Sequence, residues 1–403
     1  MPLLNRIQKI ALYIFFFSIN FEMYEPLNTV DISISRITGI FYFLTIIPEI
    51  RFFVRADRIS NMLFTIWAFF GLLTIMSLLH LNEVSKVFFN ITLFQNIFLF
   101  WFLVNHVRKD YLILEKGMIF FALGSITIAI MYILGFGVEY SLGRLIMFGE
   151  NQNMLGIKMC LGLIILLLSV VQDKVQIGRI RYLFLIPIPL FVNLLFATGS
   201  RVAFIAFILS VLAGIVLLKT KNYSGKIVTI VIGIVIITIL GILVMQTAVL
   251  RDRLLESAQE GNLSGRENIW RNLLLLIKEN PVFGVGQTGY DYFTLITFGK
   301  ERSPHNVILE VICLTGFVGL LIYISFLYKV FLRGYQIYRK SGLLLPILLA
   351  IPVLGLLLSA QILLVKVGWI IFAYMVGSTA IKTRSMHKTY NKQSIGDENS
   401  LRD

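Results

Sequence analysis

The sequence contains little of what soluble enzymes use for chemistry. Of its 403 residues, 14% are charged, four are histidine and two are cysteine. Hydrophobic residues make up 57% of the chain and its mean hydropathy is +0.83, far above the usage of soluble domains. Cys160 and Cys313 lie far apart within apolar runs, so the sequence predicts neither a disulfide framework nor a cysteine metal site. This composition is that of an integral membrane protein.

Acidic residues are scarce as well, with 22 Asp and Glu against 36 Lys and Arg and a formal net charge of +14. Such a charge raises the hypothesis of nucleic-acid binding. The basic residues fall mostly in short connectors between apolar runs, however, where they set the orientation of membrane helices. We therefore predict no nucleic-acid partner.

Apolar runs of about 18 to 22 residues recur along the chain, a length typical of membrane-spanning α-helices rather than of barrel strands. We predict an all-α, polytopic bundle of about twelve transmembrane helices. Transmembrane helices 1–9 are expected in residues 1–249, and a large extracytoplasmic loop with an amphipathic helix in 250–304. Transmembrane helices 10–12 are expected in 305–382, and a disordered cytoplasmic tail in 383–403.

The basic residues in the connectors predict the orientation of this bundle. If the N-terminus is cytoplasmic, every second connector holds the excess of Lys and Arg that marks the inner side. Both termini are then cytoplasmic and the long loop faces outward. Short outward connectors avoid Arg, yet this loop contains five of them: Arg251, Arg253, Arg266, Arg271 and Arg302. We interpret them as an anion site, because the planar guanidinium donates paired hydrogen bonds to phosphate; the alternative is a solvated basic loop.

Local patterns predict some structure within the loop. Ser264 and Glu267 fit a capping box, and the apolar residues behind them predict an amphipathic helix at the membrane interface that ends before Pro281. Trp270 is expected to anchor this helix at the interface. No βαβ unit surrounds the following GVGQTG, at 284–289, so its glycines are expected to allow tight turns and close approach of backbone.

Polar residues at the start of later spans complete the set of candidates. Pro304 is expected in the first turn of the next helix, with His305 at the outer mouth of that helix and Glu310 about one turn deeper. Lys158, Gln361 and Lys366 are predicted at membrane depth, where such groups usually face the bundle interior. Lys158 follows the 151–153 segment closely and is expected near the same outward site. Lys366 is alternatively expected to snorkel to the interface.

Four motifs follow one another in the sequence: TGSR (198–201), SGRENIW (264–270), NPVFGVG (280–286) and PHNVILEVICLTGFVGL (304–320). Their order resembles the bacterial O-antigen polymerase and O-antigen ligase family. GENQNMLG (149–156) is similar to an Asn-containing motif before a mid-chain helix in that family. The resemblance covers roughly residues 149–320 together with the predicted twelve-span plan and the large outward loop.

The resemblance implies a GT-C-like glycosyltransferase of the polyprenyl-phosphate-dependent type in a bacterial cytoplasmic (inner) membrane. Such enzymes take a glycan from undecaprenyl diphosphate at the outer face and pass it to a sugar hydroxyl. Arg201 and Arg266 match the family's outward arginines, and His305 matches its loop histidine. The family is metal-independent and no cofactor is expected; the sequence also lacks an outward cluster of Asp, Glu and His suited to an ion.

These residue types fit the implied chemistry. Arg201 and Arg266 would stabilise the negative charge that develops on the diphosphate, and His305 would accept the proton of the attacking hydroxyl. A single direct displacement predicts inversion at the anomeric carbon. The structural alternatives are that Arg201 ends a helix pair, that Arg266 pairs with Glu267 and that His305 only begins a helix. Further substrate contacts are expected from six residues: Asn153, Lys158, Arg271, Arg302, Asn306 and Glu310.

Three functions stay open on the sequence alone. The first is a polymerase for O-antigen, capsule or exopolysaccharide, and the second is a ligase that joins the glycan to a lipid core or another acceptor. The third and more remote one is a polysaccharide or lipid transporter, against which stands the lack of an obvious hydropathy repeat between the two halves. Expected partners are the lipid-linked donor, a glycan or lipid-core acceptor, membrane lipids, a flippase and a chain-length regulator.

Overall fold

The structure is a computed structural model that describes residues 2–25, 33–57, 59–82, 88–172, 174–218, 241, 250–252 and 266–378. Most of these residues are helical. The helices are α1 (Pro2–Ser18), α2 (Ile34–Ile46), α3 (Ile50–Phe53), α4 (Ser60–Leu79), α5 (Phe88–His106), α6 (Ile113–Ile133), α7 (Gln152–Val171), α8 (Ile188–Ala197), α9 (Arg201–Leu217), α10 (Glu267–Glu279), α11 (Gly286–Phe298), α12 (Val307–Ser341), α13 (Leu345–Ser359) and α14 (Lys366–Ser378).

Five helical segments in the described part of the chain are long and apolar enough to cross a membrane. They are Ser60–Leu79, Ile113–Ile133, Gln152–Val171, Gly178–Ala197 and Val307–Ser341. The fourth of these segments consists of α8 and the 3-10 segment Gly178–Leu185 that precedes it. The mostly helical structure and these five segments agree with the predicted helical membrane protein. Apart from residue 241, the predicted ninth span at about 227–245 lies outside the described residues, as does the tail at 383–403. The number of twelve spans stays a prediction.

Helix α7 lies at the centre of the bundle. Every residue from Met154 to Leu166 is buried, and the helix contacts α6, α8, α9 and α13. A helix that is apolar around its whole circumference is expected to be enclosed by other helices. Helix α7 begins at Gln152, directly after the 149–151 segment. Its central place in the bundle therefore also fixes the position of Asn153, a candidate site residue in its first turn.

A β-hairpin lies between α6 and α7, where the sequence predicted only a polar connector. Strands β1 (Val138–Ser141) and β2 (Arg144–Met147) pair in antiparallel register. Leu142 and Gly143 form the two-residue turn, and both have positive φ, as a type I′ hairpin turn requires. The all-α prediction is therefore wrong at this point. The hairpin forms because buried and less buried residues alternate along β2 beside a tight turn, so that Leu145 and Met147 pack into the bundle.

Helix α12 is broken at Gly316, which has φ 62° and ψ −168°. The segment that follows α10 lies in this break and completes its backbone hydrogen bonding. Phe317 N donates to Pro281 O (2.9 Å), and Val285 N donates to Cys313 O (2.9 Å). Non-helical backbone at membrane depth is tolerated where protein surrounds it and satisfies its polar groups. The NPVFGVG motif and the LTGFVGL part of the later motif are thus joined by backbone hydrogen bonds.

Glycine is required where these segments meet. A Cβ on Gly316 would lie 2.2 Å from the carbonyl carbon of Val282, and a Cβ on Gly286 would lie 2.2 Å from the backbone nitrogen of Ser77. Ser77 Oγ also accepts a hydrogen bond from Gln287 N (2.9 Å). The expectation of close backbone approach in GVGQTG is confirmed. Helix α11, which begins inside this motif, was not predicted, because its first glycines argue against a helix when local propensity alone is considered.

Candidate active site

Three helix ends bring the predicted catalytic residues together. Arg201 is the first residue of α9, Arg266 immediately precedes α10, and His305 precedes α12. Arg266 Nη1 donates to His305 O at 3.5 Å. Burial and the nearby positive charge of Arg201 both lower the pKa of Arg266. Residues that are more than a hundred positions apart in the chain therefore share one electrostatic environment.

The TGSR motif forms the turn between α8 and α9. Gly199 has a positive φ of 56°, and Ser200 is the N-cap of α9, where its Oγ accepts from Ala203 N (3.3 Å). Thr198 and Ser200 are buried, whereas Arg201 is half-buried. The turn places a guanidinium at a helix N-terminus, where backbone N–H groups and the helix dipole also favour an anion.

His305 stands in a strained segment directly before α12. Its φ is +49°, a value that is uncommon outside glycine and asparagine and that often marks a functional position. His305 N donates to Ser303 Oγ (3.1 Å), and Trp270 Nε1 of α10 donates to Pro304 O (2.9 Å). Helix α10 thus holds the histidine segment through Trp270. The expected interfacial anchoring of Trp270 stays a prediction.

Electrostatics favour the neutral form of His305. Burial, the guanidinium of Arg266 and the guanidinium of Arg302 all lower the pKa of this histidine. The ordinary pKa of a histidine side chain is about 6.5. A pKa below that value keeps the imidazole uncharged near pH 7. A neutral imidazole has one ring nitrogen that can accept a proton.

Two predictions about the starts of α10 and α12 are wrong. Helix α10 begins at Glu267 with Arg266 in the N-cap position, whereas the predicted capping box required the N-cap at Ser264, which lies outside the described residues. Helix α12 begins at Val307, and its N-cap is Asn306 rather than a residue before Pro304. Asn306 Oδ1 accepts from the backbone N–H groups of the second and third helical residues, at 2.9 and 3.3 Å. The cap therefore lies two residues after Pro304, and the helix begins one residue later.

Glu310 lies one turn inside α12 and is 1% exposed. Its Oε1 accepts from Gln361 Nε2 at 3.0 Å, and Gln361 lies in the break between α13 and α14. Both residues face the interior, as their depth in the sequence predicted. Glu310 therefore links two broken segments below the histidine.

Arg144, on the first position of β2, joins the hairpin to the site. Its Nε donates to Thr198 O (3.0 Å) and its Nη2 donates to Asn153 Oδ1 (2.9 Å). Asn151 is the N-cap of α7 and accepts from Asn153 N (2.9 Å). Arg144 was not among the candidate site residues, because the hairpin that places it beside the TGSR turn was not recognised from the sequence.

Lys158 is fully buried within α7. Its Nζ donates to Glu150 Oε1 (2.8 Å) and Oε2 (2.7 Å) and to Ile19 O (3.0 Å). These contacts use its three donors. Lys366 donates to Glu22 Oε1 at 2.8 Å, and this carboxylate compensates its charge inside the bundle. Lys158 lies 3.8 Å from the same glutamate, so the four side chains form one buried ionic network.

The two remaining candidate arginines are exposed. Arg271 lies on the exposed side of α10. Arg302 is exposed in the segment before His305, where its carbonyl oxygen accepts from Tyr290 Oη (2.6 Å). Among the described residues, no group of three or more His, Cys, Asp or Glu side chains is placed to hold a metal ion.

Residues 186–324 match the family model described as O-Antigen ligase. The match begins just before α8 and ends within α12, and it therefore includes Arg201, Arg266 and His305. No curated protein matches the chain. The match confirms the resemblance to the O-antigen ligase and polymerase family that the motifs predicted. With the apolar helices, it indicates an integral membrane protein with an O-antigen ligase-type function.

Proposed function

We propose that this protein, whose central segment matches the O-antigen ligase family, is a polysaccharide polymerase. It transfers a glycan from undecaprenyl diphosphate to a sugar hydroxyl at the outer face of the bacterial cytoplasmic membrane. One observation carries the proposal: two arginines and a half-buried histidine meet at three helix ends inside the matched segment. The product is an O-antigen, a capsule or an exopolysaccharide.

Arg201 and Arg266 bind the diphosphate leaving group. Like charges that are held close together repel, and the repulsion grows as the site is removed from water. A bound diphosphate offsets this repulsion, and it gains negative charge as the bond to the anomeric carbon breaks. Fixed guanidinium groups aimed at that charge stabilise the transition state. The reaction then needs no metal ion, because the arginines supply the positive charge.

His305 is the general base in this proposal. Its neutral imidazole accepts the proton of the acceptor hydroxyl as the new glycosidic bond forms. The hydroxyl attacks from the side opposite the diphosphate, so the configuration at the anomeric carbon inverts. Trp270 and Asn306 hold the histidine segment from both sides, through Pro304 O and through the N-cap of α12.

The other candidate residues take supporting roles. Arg302 and Arg271 are exposed and extend the positive surface toward the lipid-linked donor. Asn153 orients Arg144, and Glu310 ties Gln361 to the helix that follows His305. Lys158 acts from inside the bundle, where it fixes Glu150 rather than touching the substrate. A flippase would supply the donor, and a chain-length regulator would act on the product.

The second candidate function is ligation of the same glycan to a lipid core, and the description of the matched family favours it. Deleting the gene and resolving the polysaccharide on a gel separates the two. Loss of the length ladder with single units still attached supports a polymerase. Loss of all attached glycan supports a ligase, and an unchanged ladder contradicts both.

A further inference from the structure

We infer that Arg144 is a positioning residue for Arg201, and that the β-hairpin holds it in place. The inference rests on the proposed function and deepens it. Arg144 is half-buried on β2, outside the segment that matches the family model. Its role follows from the contacts of its guanidinium with two separate elements of the site.

The Arg144 guanidinium bridges the start of α7 and the turn before α9. Nε donates to Thr198 O at 3.0 Å, and Nη2 donates to Asn153 Oδ1 at 2.9 Å. The rigid fork of an arginine makes such paired contacts with defined geometry, whereas a lysine ammonium acts as a point charge. Thr198 O lies three residues before Arg201, within the turn that sets the direction of α9. A hydrogen bond to this carbonyl therefore restrains the backbone position from which the Arg201 side chain extends.

The same turn is enclosed from its other side by α7. A Cβ on Gly156 would lie 3.0 Å from both Ser200 Cβ and Thr198 Oγ1, so the helix already touches the turn. The turn contains Gly199 with a positive φ, which by itself permits many conformations. Contacts from α7 and from Arg144 together select one of them.

The hairpin that presents Arg144 is itself fixed to the bundle. Glu150, just after β2, forms a buried ion pair with Lys158 of α7. Its backbone N also donates to Met147 O at 2.9 Å. Phe148 packs its ring against Tyr24, with ring centroids 4.7 Å apart. The far end of β2 is therefore held by charge and by aromatic packing, and the near end by Arg144.

This arrangement suits a transition-state contact that depends on accurate placement. A misplacement of about 1 Å in a group that stabilises the transition state costs on the order of 100-fold in rate. Arg144 directs the two donors described above at protein oxygens, so it acts through Arg201. The expected consequence of weakening it is a lower kcat with little change in the KM for the donor.

The test uses purified full-length protein and the undecaprenyl-diphosphate-linked repeat unit from the native host. Arg144→Lys keeps the charge and loses the bridge; we expect kcat to fall by about 10- to 100-fold with donor KM nearly unchanged. Asn153→Leu should lower kcat less, and the double variant should be no worse than Arg144→Lys, since both act through one bridge. Arg179→Lys, at an exposed arginine of the 3-10 segment, is the matched control and should behave as wild type.

Each outcome decides the inference. If Arg144→Lys matches Arg179→Lys in kcat, or if it raises the donor KM at unchanged kcat, Arg144 does not position Arg201. If Arg144→Lys does not give monodisperse protein, Asn153→Leu carries the test through the same split of kcat and KM. Wild-type protein that transfers no glycan overturns the proposed function and this inference together. Wild-type transfer with an unaffected Arg144→Lys overturns the inference alone.

Discussion

His305 is the residue on which the proposed proton transfer depends. Its backbone is held in the left-handed region, and burial and two arginines lower the pKa of its side chain. The structure supplies a physical reason for each property: Ser303 and Trp270 fix the segment, and Arg266 and Arg302 oppose a third positive charge. The imidazole is thereby kept in the form that accepts a proton.

Replacing His305 with Gln should lower kcat by about 100- to 10,000-fold, which is the usual contribution of a general base. In the wild type, the rate should fall as pH drops through the lowered pKa of His305, because the protonated ring cannot accept a proton. Arg302→Ala removes a positive neighbour and should raise that pKa, moving the acid limb to higher pH. A pH profile of kcat/KM checks the direction.

The control for this series is His80→Gln, since His80 lies at the C-terminus of α4 and its Nδ1 donates to Met76 O at 3.0 Å. It should leave the pH profile unchanged. An acid limb that Arg302→Ala leaves in place, or moves to lower pH, contradicts the role assigned to His305.

Arg201 and Arg266 differ from lysines in the two parallel hydrogen bonds that each can offer to a phosphate. Arg201→Lys and Arg266→Lys keep the charge and lose this fork, and each Ala variant loses both. We expect kcat to fall in both series and further for Ala, by about 100- to 1,000-fold for loss of one stabilising donor group. Radiolabelled glycan transfer at saturating donor measures it. Lysine variants with full kcat would show that charge alone suffices.

At the scale of elements, the site depends on a helix that is broken and a loop that fills the break. Segment 281–285 donates and accepts the hydrogen bonds that α12 loses at Gly316. The same segment passes directly into α11, which packs against the end of α4 through Ser77. Helix α10, the histidine segment and α12 are thus held to one another by backbone contacts as well as by Trp270.

Gly316→Ala should destabilise the protein, because the added Cβ would lie 2.2 Å from Val282 and the positive φ disfavours alanine. A residue forced into such a conformation costs about 1 to 3 kcal/mol before any clash. A lower midpoint of thermal unfolding in detergent checks it. Gly71→Ala is the matched control, since a Cβ at this α4 position meets nothing within 4 Å. Equal midpoints for the two variants would contradict the assigned role of the break.

Local patterns were enough to predict some elements and not others. The apolar run of α7, the amphipathic helix α10 and the TGSR turn each follow from neighbouring residues, through periodicity or capping. The break at Gly316 could not be predicted, because its hydrogen-bond partners lie some thirty residues earlier in the chain. Arg144 was missed for the same reason: its meaning depends on Thr198, which only the folded chain brings near. In both cases the structure depends on hydrogen bonds between residues far apart in the chain, and local propensity does not reveal them.

At the scale of the whole molecule, polar groups form clusters inside the apolar bundle. Besides the candidate site, one of them is the buried network of Glu22, Glu150, Lys158 and Lys366. This network joins the end of α1, the hairpin and the start of α14. Breaking a buried pair by removing one partner is strongly destabilising, because it leaves an uncompensated charge. The network therefore gives the helices that surround the site a fixed mutual arrangement.

The proposed orientation can be tested with cysteine labelling. In a variant without Cys160 and Cys313, both buried, Leu142→Cys places a thiol in the hairpin turn, where the native side chain is 96% exposed. Arg179→Cys places one in a basic connector assigned to the cytoplasmic side. A membrane-impermeant maleimide should label the first in intact cells and the second only after lysis. The reverse pattern would contradict the outward placement of the site.

The central claim is that Arg201, Arg266 and His305 transfer a glycan from a diphosphate lipid without a metal. The most direct measurement incubates purified protein with the undecaprenyl-diphosphate-linked repeat unit and EDTA, and then determines the length of the lipid-linked products. The account predicts longer products and released undecaprenyl diphosphate from wild type, and both at a rate about 100- to 10,000-fold lower from folded His305→Gln. It is contradicted if folded wild-type protein transfers nothing to a sugar hydroxyl, if His305→Gln is fully active, or if EDTA stops the reaction and a divalent metal restores it.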